Sequence, residues 1–426
     1  MNVNDSEKVA GLLRAAGHEP ASDALGADFI FINTCAVREK AASKLDHSLR
    51  RLRRLKDRRP ELRIGVGGCV AQLEGEAILK RAGHVDFLVG THNLRRVPEL
   101  LEKADGSSAA VDLDRRADAF GVPETAAARF SAVRAYVTVM EGCNQVCSFC
   151  VVPRTRGPEV NRPPSDITTE VSGLVGRGYA EIMLLGQTVN AYRYGSLDFA
   201  GLLARVHEIP GLQRLRFTTS HPAHVTERLA DALRDLPRLC PYLHLPVQSG
   251  SDRVLASMRR GYGRQEYLDI VAMLRGRVPS LALSSDVIVG HPGETEADFE
   301  ATLSLLEAVG FDGLFAFMYS PRPGTSAFRL RDDVPAAEKR RRLALVNELQ
   351  QRRQRGLHAS RVGMREPVLV DTLDGEGRLS GRTPEFRIVH FDGPPYLVGR
   401  TVEVAVMSAG PNALVGRLET AAQPVH

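Results

Sequence analysis

Short apolar segments with the character of buried strands alternate with helical segments between residues 135 and 320. The six strand candidates are residues 135–140, 181–186, 214–219, 242–247, 283–290 and 314–320. Strands joined by helical crossovers pair in parallel, and the crossovers share one hand. The alternation therefore predicts a parallel sheet that curls into a partial (β/α)6 barrel within a domain spanning residues 129–360. Active sites of such folds lie at the carboxyl ends of the strands.

The first hundred residues show the same alternation on a smaller scale. Strand candidates lie at residues 29–33, 63–69 and 86–90, and helical patterns lie at residues 6–16 and 38–56. The pattern predicts an open parallel α/β sheet domain over residues 1–103. Residues 104–128 have no sustained period and are rich in small side chains, so we expect a linker there.

The last part of the chain, residues 361–426, changes character. Five short β patterns are separated by glycine and proline, which predicts a small five-stranded β-barrel. Barrels of this kind often bind oligonucleotides, and the alternative is a structural cap without a ligand. A basic amphipathic helix, residues 338–356, precedes this barrel.

Composition excludes several classes of protein. The chain is 43% hydrophobic and 25% charged, which is ordinary for a globular protein and argues against disorder. No apolar run reaches the roughly 18 residues needed to span a bilayer. Six cysteines in 426 residues are too few for a disulfide scaffold. The first ten residues are polar, unlike a secretory signal, so we expect a cytoplasmic protein without membrane attachment.

The net charge of +5 is unevenly distributed. Residues 339–365 hold nine basic side chains against one acidic, and residues 50–63 hold eight against two. Such clusters can hold phosphates and so favour nucleic-acid contact. The alternative is a pair of solvated helix faces.

The segment EGCNQVCSFC places Cys143, Cys147 and Cys150 within eight residues, directly after the first strand candidate of the predicted barrel. Three thiolates on one loop can bind three irons of a [4Fe–4S] cluster and leave the fourth iron open. Zinc would need a fourth ligand nearby, and no His or Cys occurs in the next fifty residues. Zinc binding and buried free thiols are therefore the less favoured interpretations of these cysteines.

The spacing of these cysteines resembles that of the radical S-adenosylmethionine (SAM) enzymes, in which the open iron binds SAM. One electron from the cluster then cleaves SAM to methionine and a 5′-deoxyadenosyl radical. The resemblance extends to LLGQTVNAY, TTSHP, HLPVQSGS and DVIVGHPGET, each near the end of a successive strand candidate. It implies SAM-binding roles for Gln187, Asn190, Ser220, Gln248, Asp286 and Gly290.

Cys35 and Cys69 each follow a strand candidate of the first domain. If the two strands are parallel, both thiols reach the same edge of the sheet. Two such cysteines alone are more often buried apolar residues than ligands. Beside a radical SAM core they resemble the methylthiotransferases, whose N-terminal domain carries a second [4Fe–4S] cluster and whose C-terminal domain is called TRAM.

Within that group the chain is most similar to the MiaB type, the tRNA-2-methylthio-N6-dimethylallyladenosine synthases. The segments INTCAVREKA, HLPVQSGSDRVLASMRRGY, VIVGHPGETEADFEATL and YSPRPGTSA carry this similarity. It implies insertion of sulfur and then methyl at C2 of the modified adenosine beside the anticodon. It also implies tRNA, a reductant such as flavodoxin or ferredoxin, and a sulfur donor system as partners of a monomeric enzyme.

Two alternatives remain open at this point. The same chemistry on threonylcarbamoyl-adenosine in tRNA, or on an aspartate of a ribosomal protein, would use the same architecture. A non-enzymatic iron–sulfur protein that binds RNA and acts as a sensor belongs to a different class.

One departure concerns the second cluster. The family has three cysteines for it, and Cys35 and Cys69 are two. The first domain also opens on a helix without a preceding strand, so we expect that the chain as given begins too late. The alternative is a divergent start. We expect Cys240 to be a small buried thiol without a ligand role. We assign no function to His221, His244 and His291.

Overall fold

The computed structural model describes residues 1–36, 39–104, 109–115 and 128–419. The chain divides into two compact units. The first comprises Met1–Phe130, Met140–Val146 and Cys150–Arg162, and the second comprises Ser131–Val139, Cys147–Phe149 and Pro163–His426. Within the described residues, no helix is both long enough and apolar enough to cross a membrane.

A four-stranded parallel sheet forms the centre of the first unit. Its strands are β1 (Phe29–Thr34), β2 (Arg63–Gly68), β3 (Phe87–Val89) and β4 (Ala110–Asp112). Its helices are α1 (Asn2–Ala15), α2 (Glu39–Lys56), α3 (Cys69–Glu74), α4 (Ala77–Arg81) and α5 (Val97–Lys103). The open parallel α/β domain predicted from the sequence is confirmed.

The strand β4 corrects one expectation. Ala110–Asp112 lies in the segment predicted as a linker, but it pairs in parallel with β3. The prediction failed because three residues are too few to show a strand period among small side chains. The other parts of that segment at residues 105–108 and 116–127 lie outside the described residues. The described strands pair in the order β1-β2-β3-β4 without an interior gap.

The cysteine segment EGCNQVCSFC begins at a tight crossing of two chain segments in the first unit. The two-residue strands β6 (Met140–Glu141) and β7 (Val160–Asn161) pair antiparallel, and the short helix α6 (Val152–Thr155) lies between them. Gly142 has φ +78°, and a Cβ there would collide with the carbonyl of Pro158. Only glycine allows this approach, which fixes where the cysteine segment leaves the crossing.

Six parallel strands in the second unit form the predicted partial barrel, which is called the half-barrel below. They are β5 (Arg134–Thr138), β8 (Glu181–Leu185), β11 (Arg214–Thr218), β12 (Tyr242–His244), β13 (Ala282–Val289) and β14 (Gly313–Met318). They pair in the orders β5-β8-β11 and β12-β13-β14, and a bridge between Leu215 and Leu239 joins the two halves. A small hairpin of β9 (Arg193–Tyr194) and β10 (Leu197–Asp198) extends the loop after β8.

Helices cover the outer face of these strands. They are α7 (Pro164–Gly176), α8 (Phe199–His207), α9 (Glu227–Asp235), α10 (Asp252–Ser257), α11 (Arg264–Arg277), α12 (Glu296–Val309) and α13 (Ala336–Ala359). The sequence of α12 shows why its ends lie where they do. Thr295 and Asp298 form a reciprocal capping box at its start, and Gly310 at φ +60° ends it.

The predicted terminal barrel is also confirmed. Its strands are β15 (Arg365–Leu373), β16 (Arg378–Arg382), β17 (Ile388–Asp392), β18 (Thr401–Ala409) and β19 (Leu414–Leu418). They close in the order β15-β16-β17-β19-β18 around a core of aliphatic side chains and Phe391. Closure leaves no sheet edge among these strands.

Candidate active site

Three of the predicted SAM-binding residues follow the carboxyl ends of β8, β11 and β12. Gln187 Oε1, Ser220 Oγ and Gln248 Oε1 are buried and have no hydrogen-bond partner among the described residues. Gln248 also has φ +73°, a strained backbone conformation for a residue with a side chain. Buried acceptors without donors are costly, so these atoms fit a polar ligand that supplies donors at this end of the half-barrel.

Asn190, in contrast, has its amide satisfied within the protein. Its Nδ2 donates to the carbonyl of His221 at 2.9 Å, and its Oδ1 accepts from the His221 N–H at 2.8 Å. The pair of bonds ties the loop after β8 to the loop after β11. This contact positions the two loops that carry Gln187 and Ser220.

The remaining two predicted SAM residues lie on or after β13. Asp286 lies within the strand, three residues before its end, and its carboxylate is 3.5 Å from His244 Nε2. Gly290 follows the strand with φ +74°, and a Cβ there would collide with the side chain of Lys339. The Gly290 N–H donates to the carboxylate of Glu294, which fixes the turn.

The buried histidines of this end are neutral. Burial, with help from Arg260 and His224, lowers the pKa of His221 to about 3. Burial likewise lowers the pKa of His291 to about 4. Neither imidazole therefore carries a charge near neutral pH.

Each thiol of EGCNQVCSFC accepts a hydrogen bond. The N–H of Gln145 lies 3.4 Å from Cys143 Sγ, and the N–H of Val152 lies 3.5 Å from Cys150 Sγ. N–H groups directed at sulfur are typical of cysteines that bind iron–sulfur clusters, where they stabilise thiolate charge. The donor set of this segment therefore fits a [4Fe–4S] cluster.

Cys147 accepts its hydrogen bond from a side chain. Arg260 Nη1 lies 3.2 Å from its sulfur. In the described part of the chain, no three His, Cys, Asp or Glu side chains are grouped as they would be around one metal ion. The spacing of the three cysteines and the N–H donors directed at their sulfurs are the features that fit a cluster.

Cys35 and Cys69 follow adjacent parallel strands. The last residues of β1 and β2, Thr34 and Gly68, are direct register partners. The next residue on each strand is a cysteine, so both cysteines start from the same edge of the sheet, as the sequence predicted. Cys69 is buried and Cys35 is partly exposed.

The neighbourhood of Cys69 contains buried charges. Arg156 pairs with Asp5 and lies 3.9 Å from Glu141, and all three side chains are almost completely buried. Burial raises the pKa of Glu141 despite the nearby Arg156. Arg156 Nη1 and Glu141 Oε2 have no hydrogen-bond partner among the described residues, so this site too has polar capacity left for a ligand.

The opposite, amino-terminal end of the half-barrel is closed by a buried ionic cluster. Glu181 is completely buried and pairs with both Arg134 and Arg216, the latter at 2.6 Å. Burial alone would raise the pKa of Glu181, but the two guanidinium groups outweigh it and lower the pKa. Cys240 lies at this end as a buried thiol, as predicted, and burial raises its pKa.

A loop of the terminal barrel completes this closed end. Arg216 donates to the carbonyls of Thr383 and Pro384, at 2.8 and 2.7 Å. The ring of Phe386 stacks on Tyr242 at 4.9 Å between centroids, and Arg216 lies 4.8 Å from the Phe386 centroid. Each guanidinium nitrogen of Arg216 therefore has a partner within the protein.

Three regions of the chain match known family models. Residues 137–306 match the radical SAM superfamily, residues 1–90 match the uncharacterized protein family UPF0004, and residues 359–418 match the TRAM domain. The tRNA-2-methylthio-N(6)-dimethylallyladenosine synthases of Bordetella pertussis and Chromobacterium violaceum are each 48% identical to this chain. These matches cover 98% and 99% of this chain and 96% of each relative. The chain belongs to this synthase family.

Solved structures confirm the fold of a radical SAM enzyme. The radical SAM methyltransferase TsrM from Kitasatospora setae, with tryptophan and a SAM analogue bound, is 15% identical and has a TM-score of 0.57 over 88% of this chain and 77% of its own. The cobalamin-dependent radical enzyme OxsB is 12% identical, with a TM-score of 0.51 over 82% and 53%. At these identities the likeness shows the fold alone. Membership of the radical SAM superfamily itself implies a [4Fe–4S] cluster and SAM.

The basic run at residues 339–365 divides into two parts. Near the start of α13, Lys339 pairs with Asp332 at 2.6 Å and Arg342 pairs with Glu294 at 3.0 Å, and both cations are buried. Near its end, three arginines are exposed and have no carboxylate partner among the described residues: Arg352, Arg353 and Arg355. The buried, paired cations are therefore not accessible to phosphates, whereas these exposed arginines are.

Two groups of residues described here were not predicted from the sequence. One is the closed end around Glu181, where charged residues within apolar strand patterns were the available signal. The other is the pair Arg260 and Tyr262, whose signal was an arginine and an aromatic residue in the quoted segment RRGY. Neither role follows from periodicity, because both depend on contacts between distant parts of the chain.

Proposed function

We propose that this chain inserts sulfur and then a methyl group at C2 of N6-dimethylallyladenosine beside the anticodon of tRNA, giving 2-methylthio-N6-dimethylallyladenosine. The observation that carries the proposal is 48% identity over nearly the whole length to synthases of that name. The C2–H bond does not react by ordinary acid–base chemistry, so the reaction needs a cofactor that forms a radical. The sulfur-directed donors and orphaned acceptors described above support such a site.

The three cysteines of EGCNQVCSFC are proposed as the catalytic ligands of the SAM-cleaving cluster. When bound, the cluster supplies the electron and SAM supplies both the radical-forming group and the methyl group. Gln187, Ser220 and Gln248 would bind SAM through their unpartnered oxygens. Asn190 would hold two of the SAM-binding loops together, while Asp286 and Gly290 would line the part of the pocket beside β13.

Cys35 and Cys69 are proposed as ligands of a second [4Fe–4S] cluster in the first unit. Their shared sheet edge and the unsatisfied Arg156 and Glu141 beside it support this assignment. Two cysteines are one fewer than the family uses. The remaining ligand of this second cluster is therefore unassigned.

The terminal barrel and the end of α13 are proposed to bind tRNA. Tyr396 is 67% exposed, and the guanidinium of Arg400 lies 5.5 Å from its ring centroid. An exposed aromatic ring beside an arginine suits base stacking, and the exposed arginines of α13 suit phosphates. We further propose that the chain acts as a monomer in the cytoplasm with a flavodoxin- or ferredoxin-type reductant and a sulfur donor.

Mass spectrometry of tRNA nucleosides tests the substrate. A strain that lacks the gene should lose 2-methylthio-N6-dimethylallyladenosine and accumulate N6-dimethylallyladenosine, and the wild-type gene should restore the product. Loss of the methylthiolated threonylcarbamoyl-adenosine, with the dimethylallyl nucleosides unchanged, would contradict the proposal.

Formation of 5′-deoxyadenosine distinguishes an enzyme from an iron–sulfur sensor. The purified chain, reconstituted without oxygen and reduced in the presence of SAM, should release 5′-deoxyadenosine. A chain with a full complement of iron that releases none would favour the sensor.

A further inference from the structure

Arg260 is a buried guanidinium in the second unit whose donors are all directed at neutral groups or at sulfur. Nε donates to Tyr262 Oη at 3.0 Å, Nη2 donates to the Pro246 carbonyl at 3.1 Å, and Nη1 donates to Cys147 Sγ at 3.2 Å. Arg260 lies in the turn after α10. The preceding residue, Arg259, has φ +56° and is exposed, whereas Arg260 is buried.

The charge of Arg260 has no carboxylate partner among the described residues. The ionisable groups that it contacts directly are Tyr262 and Cys147. A buried cation without an anion is costly, and proteins rarely keep one without a counter-charge. A neutral thiol does not supply that charge, whereas a thiolate bound to iron does.

The same side chain also fixes the loop that carries Gln248. Tyr262 Oη donates to the Val247 carbonyl at 2.9 Å, next to Gln248 in sequence, and Arg260 holds the adjoining Pro246 carbonyl. On the other side, the N–H of Ser148 donates to the Met258 carbonyl at 2.9 Å. Arg260 therefore connects the sulfur of one cysteine to the strand end where the proposed function has SAM bind.

We propose that Arg260 is a positioning residue that serves as the counter-ion of the SAM-cleaving cluster and raises the reduction potential of that cluster. This inference rests on the proposed function in one respect, that Cys147 is a cluster ligand. A positive charge and an N–H···S hydrogen bond stabilise the reduced, more negative state of a cluster, which makes it easier to reduce. Arg260 itself contacts sulfur and does not react.

A redox titration followed by electron paramagnetic resonance tests the proposal. It uses the full chain with Cys35→Ala and Cys69→Ala, so that one cluster gives the signal. Arg260→Met removes the charge and keeps much of the side-chain volume, and its midpoint potential should shift to a more negative value. Arg260→Lys keeps the charge but loses the forked geometry, so its shift should be smaller.

Arg259→Met is the matched control. It removes the same charge one residue away, at an exposed side chain, and should leave the potential unchanged. Equal potentials in the wild-type and Arg260→Met chains at equal iron content would overturn the proposal. So would equal shifts in Arg259→Met and Arg260→Met, because the effect would then be one of net charge.

If Arg260→Met does not bind the cluster, its potential cannot be measured, and the iron content of the variants is compared instead. Loss of iron in Arg260→Met with retention in Arg260→Lys supports the counter-ion role, because the two differ in charge. Equal loss in both overturns it, because packing would then be the cause. If the chain with arginine at position 260 also holds no cluster, the proposed function fails instead.

Discussion

The two ends of the half-barrel differ in whether their buried polar groups have partners within the protein. At the amino-terminal end, Glu181 and Arg216 are buried and fully partnered, in part by the loop around Phe386. At the carboxyl end, Gln187, Ser220 and Gln248 have buried oxygens without a partner in the part of the chain that the structure describes. The first arrangement stabilises the fold, and the second costs stability that a ligand can recover. The contrast favours the carboxyl end as the place where a polar ligand binds, without reference to sequence similarity.

The largest effect is expected from Cys147→Ala at the carboxyl end. The variant should lose most of the iron of the SAM-cleaving cluster and all detectable 5′-deoxyadenosine formation, because a three-ligand site cannot spare a ligand. Cys240→Ala is the control, since that buried thiol lies at the closed end, and it should keep both. A Cys147→Ala protein that still cleaves SAM would contradict the assignment.

Glu181→Gln should produce the largest loss of stability without loss of SAM binding. Removing the Glu181 charge leaves Arg216 without a carboxylate partner among the described residues and Arg134 with Asp371 at 3.4 Å. Breaking a buried ion pair typically costs about 3–5 kcal/mol. We expect a clear fall in the melting temperature with the SAM dissociation constant unchanged. The matched control Glu208→Gln, whose side chain is 82% exposed, should change neither. Equal melting temperatures for all three chains would show that the closed end is not a stabilising cluster.

The pH dependence of the melting temperatures of wild type and Glu181→Gln provides a sharper measurement. The pKa of Glu181 is lowered from its usual 4.5, because the two arginines outweigh the effect of burial. Its stabilising contribution is therefore complete above that value and is lost as the pH falls through the lowered pKa. The gap in melting temperature between wild type and Glu181→Gln should be constant from pH 8 to 5 and should narrow below about pH 4.5. A gap that widens on acidification would contradict the sign of the shift.

Gln248→Ala should lose SAM affinity and keep its stability, the reverse of Glu181→Gln, and the effect should be smaller. The amide oxygen has no partner to lose, so the melting temperature without ligand should change little. SAM affinity should fall about tenfold, since one hydrogen bond to a charged group is worth about 1.5 kcal/mol. Gln351→Ala, an exposed glutamine of α13, is the control and should leave SAM affinity unchanged. A large loss of stability in Gln248→Ala would remove the distinction between the two ends.

Local patterns were enough to predict the longer strands of the chain, whereas the two- and three-residue strands β4, β6, β7, β9 and β10 were not predicted. The strand predicted at residues 283–290 is Ala282–Val289, and the helix predicted at residues 338–356 is Ala336–Ala359. Both signals come from the spacing of apolar residues, which survives in the sequence because those residues face a continuous core. The cysteine segment was predictable for a similar reason, because its ligands are close in sequence.

The ionic contacts were not predictable, because they join residues far apart in the chain. Nothing near Arg216 indicates that its partners are Glu181 and the carbonyl of Thr383, 167 residues later. The same holds for Arg259 and Arg260, which look alike in sequence. A left-handed turn at Arg259 exposes the first and buries the second against Cys147.

The carbonyl contacts at the closed end limit how this protein can be recombined. Arg214 donates to the carbonyls of Arg382 and Pro367, at 2.5 and 2.9 Å, so a positive charge of the half-barrel is stabilised by backbone acceptors that belong to the terminal barrel. A chimera that took its last sixty residues from a relative would keep these acceptors only if the donor preserved the same loop shape. We therefore expect that the half-barrel and the terminal barrel have to be exchanged together.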